Sequence, residues 1–312
     1  MNLAQYMKNL TSPTGRVDVI LDTDAFNEID DQFAISYMLC YGQRLNIKGF
    51  CAAPFFNKNS SSPADGMERS YKEIMKLLML ANREELVSKV YRGSLTYLED
   101  EQTPVASEAA TFMAELANAY SPEAPLYIVA IGAITNVASA ILMNPAMKEN
   151  TVIVWLGGHG IHMPSGASEF NMVQDIAAAR VVMGCGVPFV QLPCRGVVDH
   201  FATTGPELNY WLKGRNPLCD YLAENTIRAA ESYAAGKPWS RVLWDVTAVA
   251  WLLNDGEKFM LERLSPSPIP EYDKQYALEP NRHLIKYIYH INRDALFADL
   301  FSRLAGMEYE TV

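Results

Sequence analysis

Five carboxylates crowd ten residues of this sequence: Asp22, Asp24, Glu28, Asp30 and Asp31. They follow an apolar run, Val17-Asp18-Val19-Ile20-Leu21, of the kind that forms a buried strand. Carboxylates gathered at the end of such a strand repel one another, and some must hold protons unless a cation intervenes. A helix beginning at Asp30 and Asp31 would relieve each by about 0.3–1 kcal/mol through its dipole. That is too little to offset the repulsion in a partly dry cleft. The candidate ligands are all oxygens, so a hard divalent cation is the economical answer. A solvated acidic loop that caps a helix is the plainer alternative.

The surrounding pattern says how such a cluster would be positioned. Val17 to Leu21 reads as a strand and Asp30 to Tyr41 as a helix, with Phe33, Ala34, Tyr37 and Met38 at helical spacing. Ile47 to Ala53 reads as a strand, Pro54 to Gly66 as a loop and Met67 to Asn82 as a helix. Leu126 to Ile131 is a strand followed by a helix from Thr135. Val152 to Leu156 is a strand ending at Gly157-Gly158. Ile176 to Met183 is a helix and Phe189 to Leu192 a strand. Arg263 to Lys274, with Pro266, Pro268 and Pro270, reads as a surface loop. The alternation predicts an α/β fold: one domain over residues 1–312, with an open, mostly parallel sheet flanked by helices. Ligands of such sheets sit outside the carboxyl ends of the strands, which is where the acids fall.

The chain has 312 residues, 49% hydrophobic and 20% charged, the composition of a globular protein. Its 36 acidic residues against 26 basic ones give a net charge of −10. That field repels phosphate backbones, so no nucleic-acid partner is expected, whereas a small neutral substrate is not repelled. Met1 to Arg16 has no long apolar run and no stretch approaches a membrane span, so the expectation is a cytoplasmic protein without a membrane partner.

The five cysteines form no CxxC pair, which argues against a disulfide framework or a zinc site. Cys40, Cys51 and Cys185 read as core residues. Cys194 follows a strand, but no spaced His and acid support it as a nucleophile. His159 and His162, after Gly157-Gly158, and His200, after the next strand, are candidates to face a pocket and protonate a leaving group. His283 and His290 read as surface or core. A phosphatase of the haloacid dehalogenase type would also place Asp-x-Asp after its first strand, as Asp22-Thr23-Asp24 stands here. It would then require a later Lys and a downstream acidic pair, and would leave Asp30-Asp31 unexplained.

Asp22-Thr23-Asp24 followed by Asp30-Asp31-Gln32-Phe33-Ala34 resembles the N-terminal signature DxDPGxDDAxA of the inosine-uridine preferring nucleoside hydrolases. The spacer between Asp24 and Asp30 is two residues longer than in that signature and lacks its Pro-Gly. Further similarities run in order along the chain. They are Val90-Tyr91-Arg92-Gly93, Val129-Ala130-Ile131-Gly132-Ala133-Ile134-Thr135-Asn136, and Gly157-Gly158 with Glu169-Phe170-Asn171 and Asp175. Trp244-Asp245-Val246-Thr247-Ala248 follows, and then Arg293-Asp294-Ala295, similar to a closing strand. The resemblance implies hydrolysis of the N-glycosidic bond of a small ribonucleoside, on the nucleoside hydrolase fold, with a bound calcium ion. It implies Asp24, Asp31 and Asp245 as carboxylate ligands and Ile131 as a carbonyl ligand. Asp24 would also take a proton from the attacking water. Asp30, Asn57, Glu169 and Asn171 would bind the sugar, and Asp22 would brace the loop. A homodimer or homotetramer is implied, with contacts from Tyr287, Tyr289, Phe297 and Phe301.

Two departures bear on specificity. Many family members carry a His before the late Asp, where this chain has Trp244. A Trp there is similar to the purine-preferring branch, in which stacking helps the base depart, although a packing role is the alternative. The stretch between Gly158 and Glu169 lacks the Gly-Asn that the family often uses to hold the sugar. Two further alternatives follow: a modified nucleoside as substrate, or a non-catalytic binding protein on the same fold.

Overall fold

The computed structural model describes residues 1–306; residues 307–312 of the expected 1–312 unit lie outside the described residues. Eight strands make the central sheet. In chain order they are β1 (Val17–Thr23), β2 (Leu45–Ala52), β3 (Val90–Arg92), β4 (Leu126–Ala130), β5 (Thr151–Leu156), β6 (Phe189–Leu192), β7 (Met260–Pro266) and β8 (Leu284–Ile291). In space the order is β3-β2-β1-β4-β5-β6-β8-β7. Every neighbouring pair is parallel except β8 with β7. The expected α/β class with a mostly parallel sheet is therefore present.

Both faces of the sheet are covered, and the period-two alternation of the strands decides which residue serves which face. Val19 and Leu21 of β1 join one apolar cluster, together with the helices Asp30–Leu39, Pro63–Leu80, Val246–Trp251 and Arg293–Ala305. Ile20 of β1 joins the other, with the helices Glu108–Leu116, Thr135–Met143 and Ile176–Gly184. The helix Asp30–Leu39 is buried along its whole length, because the sheet lies on one side and other helices on the other. Its acidic first turn is thereby carried into the interior.

The strand order reverses at β1. The chain leaves it for β2 and β3 on one side, then returns to β4 on the other. A crevice opens at such a switch point, beyond the carboxyl ends of the two strands. Asp24 follows β1 there and Ile131 follows β4. The Ile131 N–H donates to the Asp22 carbonyl at 2.8 Å, which ties the two strand ends together.

Some local expectations change. Arg263 to Lys274 is not a loop: β7 runs to Pro266, and Ile269–Pro270 pairs with Tyr276–Ala277 in a small hairpin. A strand tolerates proline at the edge of a sheet, where its outward N–H is not needed for the ladder. Lys286 of β8 and Glu262 of β7 form a largely buried ion pair at 2.7 Å that pins this edge. Arg293-Asp294-Ala295 opens a helix rather than a strand, with Asn292 capping the Ala295 N–H at 3.3 Å. The closing strand is β8, just before it. The expected loop Pro54 to Gly66 ends early, since Ser62 caps a helix that Pro63 begins. Cys51 is buried as expected, but Cys40 is exposed and Cys185 half-buried; Cys194 and Cys219 are the other buried cysteines.

Candidate active site

Three segments bring carboxylates to the crevice. Asp24 ends the β1 turn, Asp30 and Asp31 open the helix Asp30–Leu39, and Asp245 precedes the helix Val246–Trp251. The helix starting at Asp30 has no side-chain cap, and the Asp245 side chain makes no cap bond either. These acids are therefore free to face one another. Asp30, Asp31 and Asp245 each offer an oxygen within 4.8 Å of the others. All four acids are almost wholly buried.

The energetic consequence is visible in their acidity. Burial, then the charges of Asp31 and Asp30, raise the Asp24 carboxyl well above the usual range. Burial and Asp30 do the same to Asp31. Burial and the charges of Asp30, Asp31 and Asp24 do it to Asp245. Asp30 rises to about 7, chiefly by burial and the charge of Glu28, with Arg241 pulling the other way. Both Asp24 oxygens are buried and have no hydrogen-bond partner among the described residues. Orphaned buried acceptors of this kind are costly and call for an occupant. A hard divalent cation fits the donor set, which is oxygen throughout.

The pocket that contains the cluster has a volume of ≈ 490 Å³. Of the residues expected there from sequence, Asp24, Asp30, Asp31, Ile131, Glu169, Asn171, Trp244 and Asp245 line it. Trp244 is half-buried: it packs against the core and also lines the pocket. Asn57 does not line the pocket. Its Nδ2 donates to Asn27 Oδ1 at 2.5 Å, and Asn27 is the residue on the wall. Asp22 lies behind the site as a brace: its Oδ1 accepts from Asn136 Nδ2 at 2.8 Å. Asp175 caps the helix Ile176–Gly184 and accepts from Thr135 Oγ1 at 2.7 Å.

Glu169 and Asn171 are fixed by neighbouring backbone. Glu169 Oε2 accepts from Gly158 N at 2.9 Å and Met172 N at 3.1 Å, and Oε1 from Asn171 N at 2.8 Å. Gly158 reaches Glu169 with φ at +76°, where a Cβ would also strike the Tyr276 hydroxyl. Asn171 Nδ2 donates to the Ile131 carbonyl at 3.1 Å and the Leu156 carbonyl at 3.0 Å.

Of the histidines, only His159 reaches this pocket. His162 is exposed and lies beneath Gly196. His200 shares a hydrogen bond with the Ile291 carbonyl at 2.8 Å and stacks on His290. Cys194 lines the pocket, but burial and the Glu169 charge push its thiol well up, which leaves it a poor nucleophile.

Glu28 of the acidic cluster also lines the pocket, and so do Asn27, Arg195 and Arg241, which are not apparent from sequence. Arg241 Nη2 meets Glu28 Oε2 at 2.8 Å, so the lengthened spacer after Asp24 is tied to the segment carrying Trp244. The extra residues of that spacer were the one available signal.

The family model of the inosine-uridine preferring nucleoside hydrolases matches residues 19–282, and the chain belongs to this family of hydrolases acting on N-glycosyl compounds. A protein of Shigella boydii named as a pyrimidine-specific ribonucleoside hydrolase, RihB, is 36% identical over 67 residues. That alignment covers 21% of this chain and 28% of the relative. Among solved structures, a plant nucleoside hydrolase superposes with a TM-score of 0.73 at 18% identity, covering 93% of this chain and 99% of that one. A purine-preferring ribonucleoside hydrolase from Gardnerella vaginalis gives 0.73 at 19% identity, with 93% and 98% covered. These structural likenesses establish the shared fold.

Proposed function

We propose that this chain hydrolyses the N-glycosidic bond of ribonucleosides, with a preference for purines and a dependence on calcium. The observation that carries the proposal is the buried group of Asp24, Asp30, Asp31 and Asp245 at the switch point, with both Asp24 oxygens unpartnered.

Asp24, Asp31, Asp245 and the Ile131 carbonyl would hold the cation; several oxygens of mixed charge suit calcium better than magnesium's strict octahedron. A cation held by these residues would supply Lewis acidity toward an attacking water and attraction for the ribose hydroxyls. Asp24, whose carboxylate faces the pocket, would take the proton of the attacking water. The water oxygen would add to the anomeric carbon as the bond to the base breaks, through an oxocarbenium-like state, and the base, leaving with the bonding pair, would take up a proton from solvent. Asp30 accepts from a ribose hydroxyl, and the backbone-held Glu169 and Asn171 set the sugar's position. Asn57 contributes by fixing the Asn27 amide. Trp244 stacks on the base, and that contact supports the purine preference, worth about 1–3 kcal/mol. His159 is the histidine whose ring lies on the pocket wall.

The chain is further proposed to act as a dimer or tetramer. Tyr287, Phe297 and Phe301 are buried in its own core, which leaves Tyr289, 46% exposed, as the one of the four available for contact. Among the described residues no helix is long and apolar enough to cross a membrane.

Incubation with inosine, adenosine, guanosine, uridine and cytidine in calcium, followed by the spectral change on base release, tests the reaction. Release from the purine nucleosides ahead of the pyrimidines is expected. No release from any of the five overturns the proposal.

A further inference from the structure

The wall of the pocket on the side of β5 and β6 carries donors that the reaction above does not use. His159 follows β5, Ser168 precedes Glu169, and Arg195 lies in the turn Cys194–Val198 after β6; all three line the pocket. The Arg195 backbone N–H donates to His159 Nδ1 at 3.3 Å, and the Gly160 N–H donates to the Arg195 carbonyl at 2.9 Å. The first contact leaves the His159 proton on Nε2, so this ring can act as a donor. Burial, then the Arg195 charge, hold the His159 pKa below its ordinary value, so the neutral ring is favoured.

The Arg195 guanidinium has no ion pair and no side-chain hydrogen bond among the described residues, and neither does the Ser168 hydroxyl. Asp199, which biases His159 the other way, has its Oδ2 on the Gly196 N–H at 3.0 Å. Glu169 and Asn171, in contrast, already spend polar atoms on backbone groups. Arg195 is exposed where it lines the pocket, so in a chain of net charge −10 its unpaired guanidinium is accessible to an anionic substituent of a pocket ligand.

Orientation of the ribose decides what this wall would meet. If the 2′- and 3′-hydroxyls turn to the carboxylates and the base to Trp244, as proposed above, C5′ is the substituent left to meet the wall of His159, Ser168 and Arg195. We propose that His159, Ser168 and Arg195 receive a phosphate on C5′, so that this chain accepts 5′-phosphorylated ribonucleosides and releases ribose 5-phosphate. The inference rests on the ribosyl-hydrolase reading given above. Arg195 supplies charge-assisted hydrogen bonds of the kind that suit phosphate oxygens, and His159 Nε2–H and Ser168 Oγ–H supply neutral ones.

Calorimetric titration of the full chain with ribose 5-phosphate and with ribose, both in calcium, tests the binding directly. The phosphate form should bind at least about tenfold more tightly, in keeping with a charged hydrogen bond. Arg195→Ala should bring the two to within about twofold, and Arg195→Lys should keep part of the preference. Circular dichroism checks that each variant is folded. Equal affinities in the unsubstituted protein, or a preference that survives Arg195→Ala, overturn the inference. Base release from inosine 5′-monophosphate and from inosine separates the two readings. Release from inosine with no gain from the phosphate overturns this inference alone. Release from neither overturns the hydrolase reading, while the calorimetry still decides whether the wall binds phosphate.

Discussion

Asn171 Nδ2 donates to the carbonyl oxygen of Ile131 at 3.1 Å, so a residue expected to bind the sugar also positions a carbonyl expected to bind the cation. The same amide holds the Leu156 carbonyl at 3.0 Å, joining the ends of β4 and β5. Asn171→Leu keeps the approximate size but removes the donor from two buried carbonyls, at a cost of about 1–3 kcal/mol. The melting temperature should fall, and calcium affinity should fall with it, as read by thermal denaturation and calorimetry. Unchanged calcium affinity in a destabilised variant would remove the Ile131 carbonyl from the ligand set.

Acidity gives a second prediction. Burial raises both Asp22 and Asp30 to about 7 and carries Asp24, Asp31 and Asp245 well up. An acid whose pKa is raised on folding binds more protons folded than unfolded, so stability falls as pH climbs from the unfolded value of about 3.9 toward the folded one. Protein freed of divalent cations should therefore melt at a lower temperature at about pH 7.5 than at about pH 5.5. Calcium should reverse that slope, because it binds the ionised carboxylates. A metal-free protein that gains stability across this range would contradict the burial of uncompensated acids.

The sheet and the acidic turn were legible because they rest on local pattern. The apolar run before Asp22 and the helical spacing after Asp30 place the acids whatever else the chain does. Asp245 and Asn171 required the family resemblance, since nothing local in Trp244-Asp245 or Phe170-Asn171 separates a site residue from a helix start. Arg195 and Arg241 escaped notice because they reach the pocket through tertiary packing, from a turn after β6 and from the segment before Trp244. Asn57 lies in the loop after β2 that spacing from the strand predicts, whereas its hydrogen bond to Asn27, which lines the pocket, is a tertiary contact that spacing does not carry. The edge strand β7 was hidden by prolines that only an edge tolerates.

Trp244→Ala leaves every proposed ligand in place. It should lower turnover of inosine and guanosine by about tenfold or more, the equivalent of one lost stacking contact, with calcium affinity near normal. Turnover of a nitrophenyl riboside, whose leaving group needs no assistance, should fall less. Equal losses for both, or a parallel fall in calcium affinity, would show that Trp244 serves to hold Asp245 by packing.

The central claim is that the orphaned carboxylate of Asp24 both holds the cation and takes the proton of the attacking water. Asp24→Asn keeps the shape of the side chain but removes its charge and its basicity. The decisive measurement is ribose release from inosine by the unsubstituted protein and by Asp24→Asn, each stripped with chelator and then titrated with calcium. The account predicts that release by the unsubstituted protein stops on chelation and returns with calcium, while Asp24→Asn binds calcium weakly and stays inactive even at saturation. Release that persists in chelator, or an Asp24→Asn protein restored to full rate by excess calcium, would contradict it.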